Sequence, residues 1–212
     1  MVSPRPRRWM RPLLWGLLLA ALLGIGASAA YQRIVRATRA ADLERAAALP
    51  ELGRVPPFAL VNRDRRTVRR EDLAGAPWIA DFVFTRCVSS CPLLTARLAR
   101  FDRALPAGLG IRLVSFSVDP DHDTPAVLES YARTFGASRR WLFLTGDAAQ
   151  IRNLSRRGFK LALEPGGNEA ILHSTRFVLV DGEGAIRGTY PALDPAALRR
   201  LTGDARALAC GG

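Results

Sequence analysis

The apolar run Trp78-Ile79-Ala80-Asp81-Phe82-Val83-Phe84 ends three positions before Cys87-Val88-Ser89-Ser90-Cys91-Pro92. The run reads as a buried strand. Pro92 reads as the first residue of a helix, where its missing N–H is harmless and its fixed φ suits the helix. The two thiols therefore sit where a strand hands over to a helix N-terminus. Amide donors and the helix dipole at such a position favour thiolate over thiol. A thiolate can act as a nucleophile, a redox centre or a ligand for a soft metal.

Other segments alternate in kind along the chain. Pro56-Pro57-Phe58 opens the folded part, and Asn62-Arg63-Asp64 marks a turn in a short hairpin. After Pro92, Leu93, Leu94, Leu98, Phe101 and Leu105 recur at helical spacing, and Gly108-Leu109-Gly110 stops that helix. Residues 111–118 and 141–145 read as strands. Thr124-Pro125 and Asp147 have the character of helix caps. Residues 175–180 and 185–190 flank Asp181-Gly182-Glu183-Gly184 as a hairpin, and a last helix begins near Asp194-Pro195. Strands alternating with helices predict an α/β fold: a central mixed sheet flanked by helices on both faces.

No charged residue occurs from Pro12 to Tyr31, after Arg5, Arg7, Arg8 and Arg11. At about 1.5 Å per residue that stretch spans roughly 30 Å, the thickness of a bilayer core. An N-terminal transmembrane helix is the reading adopted, with a cleaved signal peptide ending at Ala27-Ser28-Ala29 as the alternative. Either way the rest of the chain is expected to be exported. The boundaries that follow are 1–31 for tail and anchor, 32–51 for a linker, 52–203 for the folded domain and 204–212 for a C-terminal tail. The net charge is +12, of which the first 31 residues carry four arginines and no acid. The arginine cluster at 63, 65, 66, 69 and 70 is not interleaved with aromatics, so no nucleic-acid partner is expected.

Only three cysteines are present, too few for a disulfide-stapled scaffold. Cys87 and Cys91 are one helical turn apart, close enough for a disulfide or for a metal between the sulfurs. Two thiolates suit Cu(I) or Zn(II), and neither metal is satisfied by two protein ligands. Two histidines are available. His122 reads as an exposed loop residue. His173, just before a hairpin strand, could complete a Cys₂His set or could be a capping or packing residue. Cys210, next to the C-terminal glycines, is not expected to be a ligand.

The segment Asp81-Phe82-Val83-Phe84-Thr85-Arg86-Cys87-x-x-x-Cys91-Pro92 resembles the metal-binding motif of the Sco/SenC family of copper chaperones. In order and spacing, so do Ser117-Val118-Asp119-Pro120-x-x-Asp123-Thr124-Pro125, Leu144-Thr145-Gly146, and His173-Ser174-Thr175 ahead of Leu179-Val180-Asp181-x-x-Gly184. The resemblance covers residues 52–203 and the N-terminal anchor. It implies a thioredoxin-like fold, and copper as Cu(I), with Cu(II) left open, held by Cys87, Cys91 and His173. It further implies delivery of copper to, or reduction of the cysteines of, the CuA site of cytochrome c oxidase. The partner is then the oxidase subunit carrying CuA or another copper-receiving protein. The implied location is the bacterial inner membrane, with the domain in the periplasm. Asp119 resembles the family's acidic residue near the site, although a turn-forming role before Pro120 accounts for it too. The chain departs from the family at Val88, where proline is usual, and at Leu172, where a polar residue is common. The competing function is a membrane-tethered thiol–disulfide oxidoreductase using the same two cysteines without stored metal. Peroxidase and structural-zinc readings are weaker, because no separate peroxidatic motif and no set of four ligands is present.

Overall fold

The computed structural model describes residues 10–88, 90–159 and 175–211 of the chain. Residues 1–41 and 42–212 form separate compact units. In the first, helix α1 (Met10–Ala48) begins, and its Leu14–Ala48 portion holds an exposed 18-residue stretch that is apolar enough to cross a membrane, with a mean hydropathy of 1.8.

The second unit is an eight-stranded mixed sheet with helices packed on it. Its strands are β1 (Gly53–Arg54), β2 (Ala59–Asn62), β3 (Thr67–Arg69), β4 (Trp78–Val83), β5 (Arg112–Ser117), β6 (Trp141–Thr145), β7 (Arg176–Val180) and β8 (Ala185–Pro191). The spatial order is β1-β8-β7-β4-β5-β6-β2-β3. Strands β4, β5 and β6 run parallel, and every other pairing is antiparallel. The helices are α2 (Ser90–Ala104), α3 (Pro125–Thr134), α4 (Ala148–Asn153), which runs on into a π-helical turn over Leu154–Gly158, and α5 (Pro195–Gly211).

Strand β4 is apolar almost throughout because both of its faces are covered, as expected of a strand inside a parallel region. Ile79, Leu113, Trp141, Phe143, Phe177 and Leu179 meet Leu94, Leu98 and Phe101 of α2, Leu128 of α3 and Leu201 of α5. On the opposite face Trp78, Phe82 and Phe116 meet Phe58, Leu60, Ile151 and Phe159. The Phe116 ring lies 5.3 Å from Phe82 and 5.5 Å from Phe58. Strand β5 alternates in apolar and polar residues, yet nearly all of it is buried for the same two-sided reason.

Local signals are realised at their expected positions. Thr124 caps α3 by accepting from the Val127 N–H, with Pro125 following it. Asp147 caps α4 by accepting from the Gln150 N–H. Gly110, at φ 68, takes the left-handed conformation that lets the chain turn into β5. Residues 204–211, assigned to a tail from the sequence, instead continue α5. Asp204 is buried there, accepting from Arg45 Nε at 2.6 Å and from Tyr190 Oη at 2.7 Å, and Ala205 and Ala207 are fully covered. Long-range partners anchor this stretch, and none is visible in its local composition.

Candidate metal centre

Parallel pairing of β4 with β5 carries Val83 opposite Ser117, and the Val118 N–H donates to the Val83 carbonyl. The loops leaving both strands therefore emerge side by side at the carboxyl edge of the sheet, where α/β folds place their sites. One is the cysteine loop and the other is Asp119–Thr124. Strand β7, antiparallel to β4 with Val178 opposite Ala80, begins at Arg176 at that same edge.

Cys87 and Cys91 are both reduced and both buried, at 7% and 3% exposure, and they pack with Phe84 and Val118. Helix α2 starts at Ser90, so Cys91 lies in its first turn. Its backbone N–H donates to Cys87 Sγ at 3.4 Å. A helix-terminal amide thus does serve the first sulfur, as the sequence suggests. The expectation of a favoured thiolate fails at the second. Burial pushes the Cys91 thiol from 9.0 up to about 12, against a lowering backbone hydrogen bond at Phe84, while Cys87 and Asp81 add to the rise. Desolvation outweighs the helix terminus because little water reaches this sulfur. Without a metal, Cys91 is a protonated thiol. Val88, by contrast, is 97% exposed at the tip of the loop.

The neighbouring loop is tied to the cysteine loop by polar contacts. Arg86 donates to Asp119 Oδ2 through Nε at 2.9 Å and Nη2 at 2.5 Å. Thr85 Oγ1 donates to Asp123 Oδ1 at 2.5 Å, and Ser117 Oγ donates to Asp123 Oδ2 at 2.6 Å. Asp123 is fully buried. Asp119 serves the turn too, since its carbonyl accepts from the His122 and Asp123 N–H groups. Both roles considered for Asp119 are thus present: turn former, and acid beside the site. His122 is not a bare loop residue, because its Nδ1 lies 3.1 Å from Asp123 Oδ1. Sequence reading missed this link. The Asp-x-x-His-Asp spacing around a turn was the available signal.

Below the thiols lies a second feature that sequence reasoning passed over. Asp81 is buried in the middle of β4 and accepts from Ser115 Oγ at 2.5 Å. Ser115 Oγ in turn accepts from Trp141 Nε1 at 2.8 Å. Burial raises the Asp81 carboxyl from 3.8 to about 7, partly offset by the Ser115 hydrogen bond. A lone Asp in an apolar strand was the signal.

Of the three residues singled out as ligands, the structure brings Cys87 and Cys91 together. His173 lies outside the described residues, as does Leu172. Cys210 is exposed on α5.

A family model described as SCO1/SenC matches residues 48–205. The SCO1 protein homolog of Bacillus subtilis (strain 168) is 35% identical over 144 residues, which is 66% of this chain and 75% of that protein. Among solved structures, BsSco superposes with a TM-score of 0.67 at 30% identity, over 76% of this chain and 96% of its own. It is described as having a disulfide switch and as a member of the Sco family of cytochrome c oxidase assembly proteins. ScoI of Arabidopsis thaliana with copper bound superposes with a TM-score of 0.59 at 25% identity, over 71% of this chain and 96% of its own.

Proposed function

This chain belongs to the SCO1/SenC family, and from that premise we propose that it is a membrane-anchored copper chaperone serving cytochrome c oxidase. Cys87 and Cys91 hold Cu(I) as thiolates, and the imidazole of His173 completes the set. The cargo passes to the CuA site of the oxidase or to another copper-receiving protein, or the same pair reduces the CuA cysteines. The domain sits in the periplasm of a bacterial cell, tethered to the inner membrane by α1.

The observation that carries this reading is the reduced pair, with Cys91 N–H on Cys87 Sγ at 3.4 Å, in a pocket walled by Phe84 and Val118. Two soft donors in a largely dry pocket suit Cu(I). For His173 the support is topological: β7 begins three positions later, at the edge from which the cysteine loop leaves. The copper-bound relative and the oxidase-assembly description of BsSco support the cargo and the pathway. Three protein ligands leave copper coordinatively open, so an acceptor's thiolate or imidazole can enter and exchange proceeds stepwise. Protons compete for all three ligands, so affinity falls on acidification. Oxidation of the pair to a disulfide removes both sulfur donors, which gives a redox gate.

Purified anaerobically, the chain is expected to bind one Cu(I). Unchanged stoichiometry in Cys87→Ser would rule the site out. The oxidoreductase alternative gains weight from the disulfide switch of BsSco. His173→Ala separates the two: a carrier loses most of its affinity and keeps dithiol exchange, whereas a pure reductase is unaffected.

A further inference from the structure

The thiols occupy one edge of the sheet. The opposite edge, where β4, β5 and β6 begin, gathers arginines. Arg112 stands there opposite Trp78, and the Leu113 N–H donates to the Arg140 carbonyl. Strand β2 is antiparallel to β6, with Asn62 opposite Leu144, so the turn over 62–66 points back toward the same edge. Arg63 fixes that turn, donating through its N–H to the Phe143 carbonyl and through Nη2 to the Ser138 carbonyl at 3.2 Å. Arg65, Arg66 and Arg139 are exposed. Arg65 sits at φ 62, a left-handed position that glycine or asparagine would fill at less cost. A cavity of about 490 Å³ opens at this edge, lined by Arg112, Arg139 and Arg140 with the apolar Ala76, Ile111 and Leu142.

Most acids here are already engaged. Buried Asp102 accepts from Ser138 and faces Arg140 Nε at 3.3 Å. Glu129 serves Arg63 and Arg133. Asp72 Oδ2 accepts from the Arg69 N–H, and Asp64 lies beside Asn62. Arg112 donates to the Asp72 carbonyl, which carries no charge to offset its own. Among the described residues no carboxylate pairs with Arg65, Arg66, Arg112 or Arg139.

The polypeptide also enters the sheet at this edge. Val180 stands opposite Trp78, so the turn from β7 into β8 lies there. The Leu52 N–H donates to the Ile186 carbonyl, and β1 pairs with the start of β8. Arg187 Nη2 donates to the carbonyls of Ala46 and Leu49 at 3.2 and 2.8 Å. All these residues belong to the second unit, and the apolar stretch precedes them in sequence.

We propose that the arginine edge docks on anionic phospholipid headgroups, with a lipid phosphate held between Arg112 and Arg139 in the cavity. Guanidinium is the side chain best matched to a phosphate, which it can grip with two parallel hydrogen bonds. This orientation rests on the membrane-anchored reading above, because a tether that arrives at this edge makes the bilayer the first surface the edge meets. Neither the cysteines nor copper takes part. Strand β4 is six residues long, about 20 Å at the usual rise, so docking holds the thiol edge that far from the headgroups and open to a partner. Each arginine at an anionic surface favours the docked state by about fivefold, and salt screens the attraction.

The test places the full chain in nanodiscs of phosphatidylcholine, with or without phosphatidylglycerol, and follows hydrogen exchange. At low salt the anionic discs should slow exchange over 62–66 and 138–142 and leave the cysteine loop unchanged. High salt should erase the difference, as should Arg66→Glu with Arg139→Glu, by roughly tenfold or more. Both substituted side chains are exposed, and the salt comparison needs no substitution at all. Equal exchange in the two kinds of disc at low salt overturns the proposal. So does lipid-dependent protection that survives salt or charge reversal. Protection by poly-glutamate in neutral discs, with none from anionic lipid, would assign the edge to an acidic protein instead. A chain that fails to enter discs at all would count against the anchor alone. Its co-sedimentation with anionic but not neutral vesicles would then sustain the arginine edge, and no co-sedimentation would refute it.

Discussion

Replacing Asp81 with Asn should flatten the pH dependence of stability. The carboxyl is pushed from 3.8 in the free group to about 7 in the fold, with burial as the main cause. A three-decade weakening of an acid corresponds to about 4 kcal/mol. The sign follows from linkage: the folded state holds this proton more tightly than the unfolded chain. The favourable contribution is complete below the free value of 3.8, declines as pH rises, and is gone above about 7. From about pH 5 to pH 8 this single group should cost the wild type about 3 kcal/mol. Asn keeps the acceptor for Ser115 Oγ but places an NH₂ where Oδ2 has no hydrogen-bond partner among the described residues. An unsatisfied buried donor costs about 1–3 kcal/mol. At pH 8 the variant should therefore be the more stable by roughly 1–3 kcal/mol, while near pH 5 it should be equal or slightly weaker. Urea unfolding of reduced, metal-free protein from residue 42 onward at several pH values measures this. Parallel curves, with a gap that does not widen between pH 5 and pH 8, would refute the reasoning.

Trp141→Phe removes the indole donor to Ser115 Oγ and should cost about 1–3 kcal/mol in the same unfolding assay. Thr85→Val takes a donor from buried Asp123; a loss of about 1–3 kcal/mol is expected, with faster proteolysis in the cysteine loop. Peptide mapping after brief alkylation near neutral pH should show exposed Cys210 modified well before Cys91, whose thiol stays protonated because burial lifts it to about 12. Cys91 labelling should then climb steadily as pH is raised. Equal rates for the two at neutral pH would contradict the dry pocket.

Much of this protein is written in short-range pattern. The apolar run into Cys87-x-x-x-Cys91-Pro92 specifies strand, loop and helix, because burial, a close cysteine pair and a proline near a helix start are each legible within a few residues. The Thr124 and Asp147 caps are local hydrogen bonds between neighbours. The hairpin around Asp181–Gly184 is likewise set by its own turn residues. The uncharged segment before Tyr31 is legible because bilayer thickness is a length.

Tertiary structure decided whatever depends on partners far along the chain. The order of the strands sets Arg86 against Asp119 and Thr85 against Asp123, and no periodicity encodes that adjacency. Asp204 extends α5 through residues that resemble a tail because Arg45 and Tyr190 meet it across the fold. The helix start at Cys91 argues for a thiolate, and the walls around it reverse the answer. Charge at a buried group is set by how much water the whole fold excludes, which is a sum over distant segments and is absent from any local stretch of sequence.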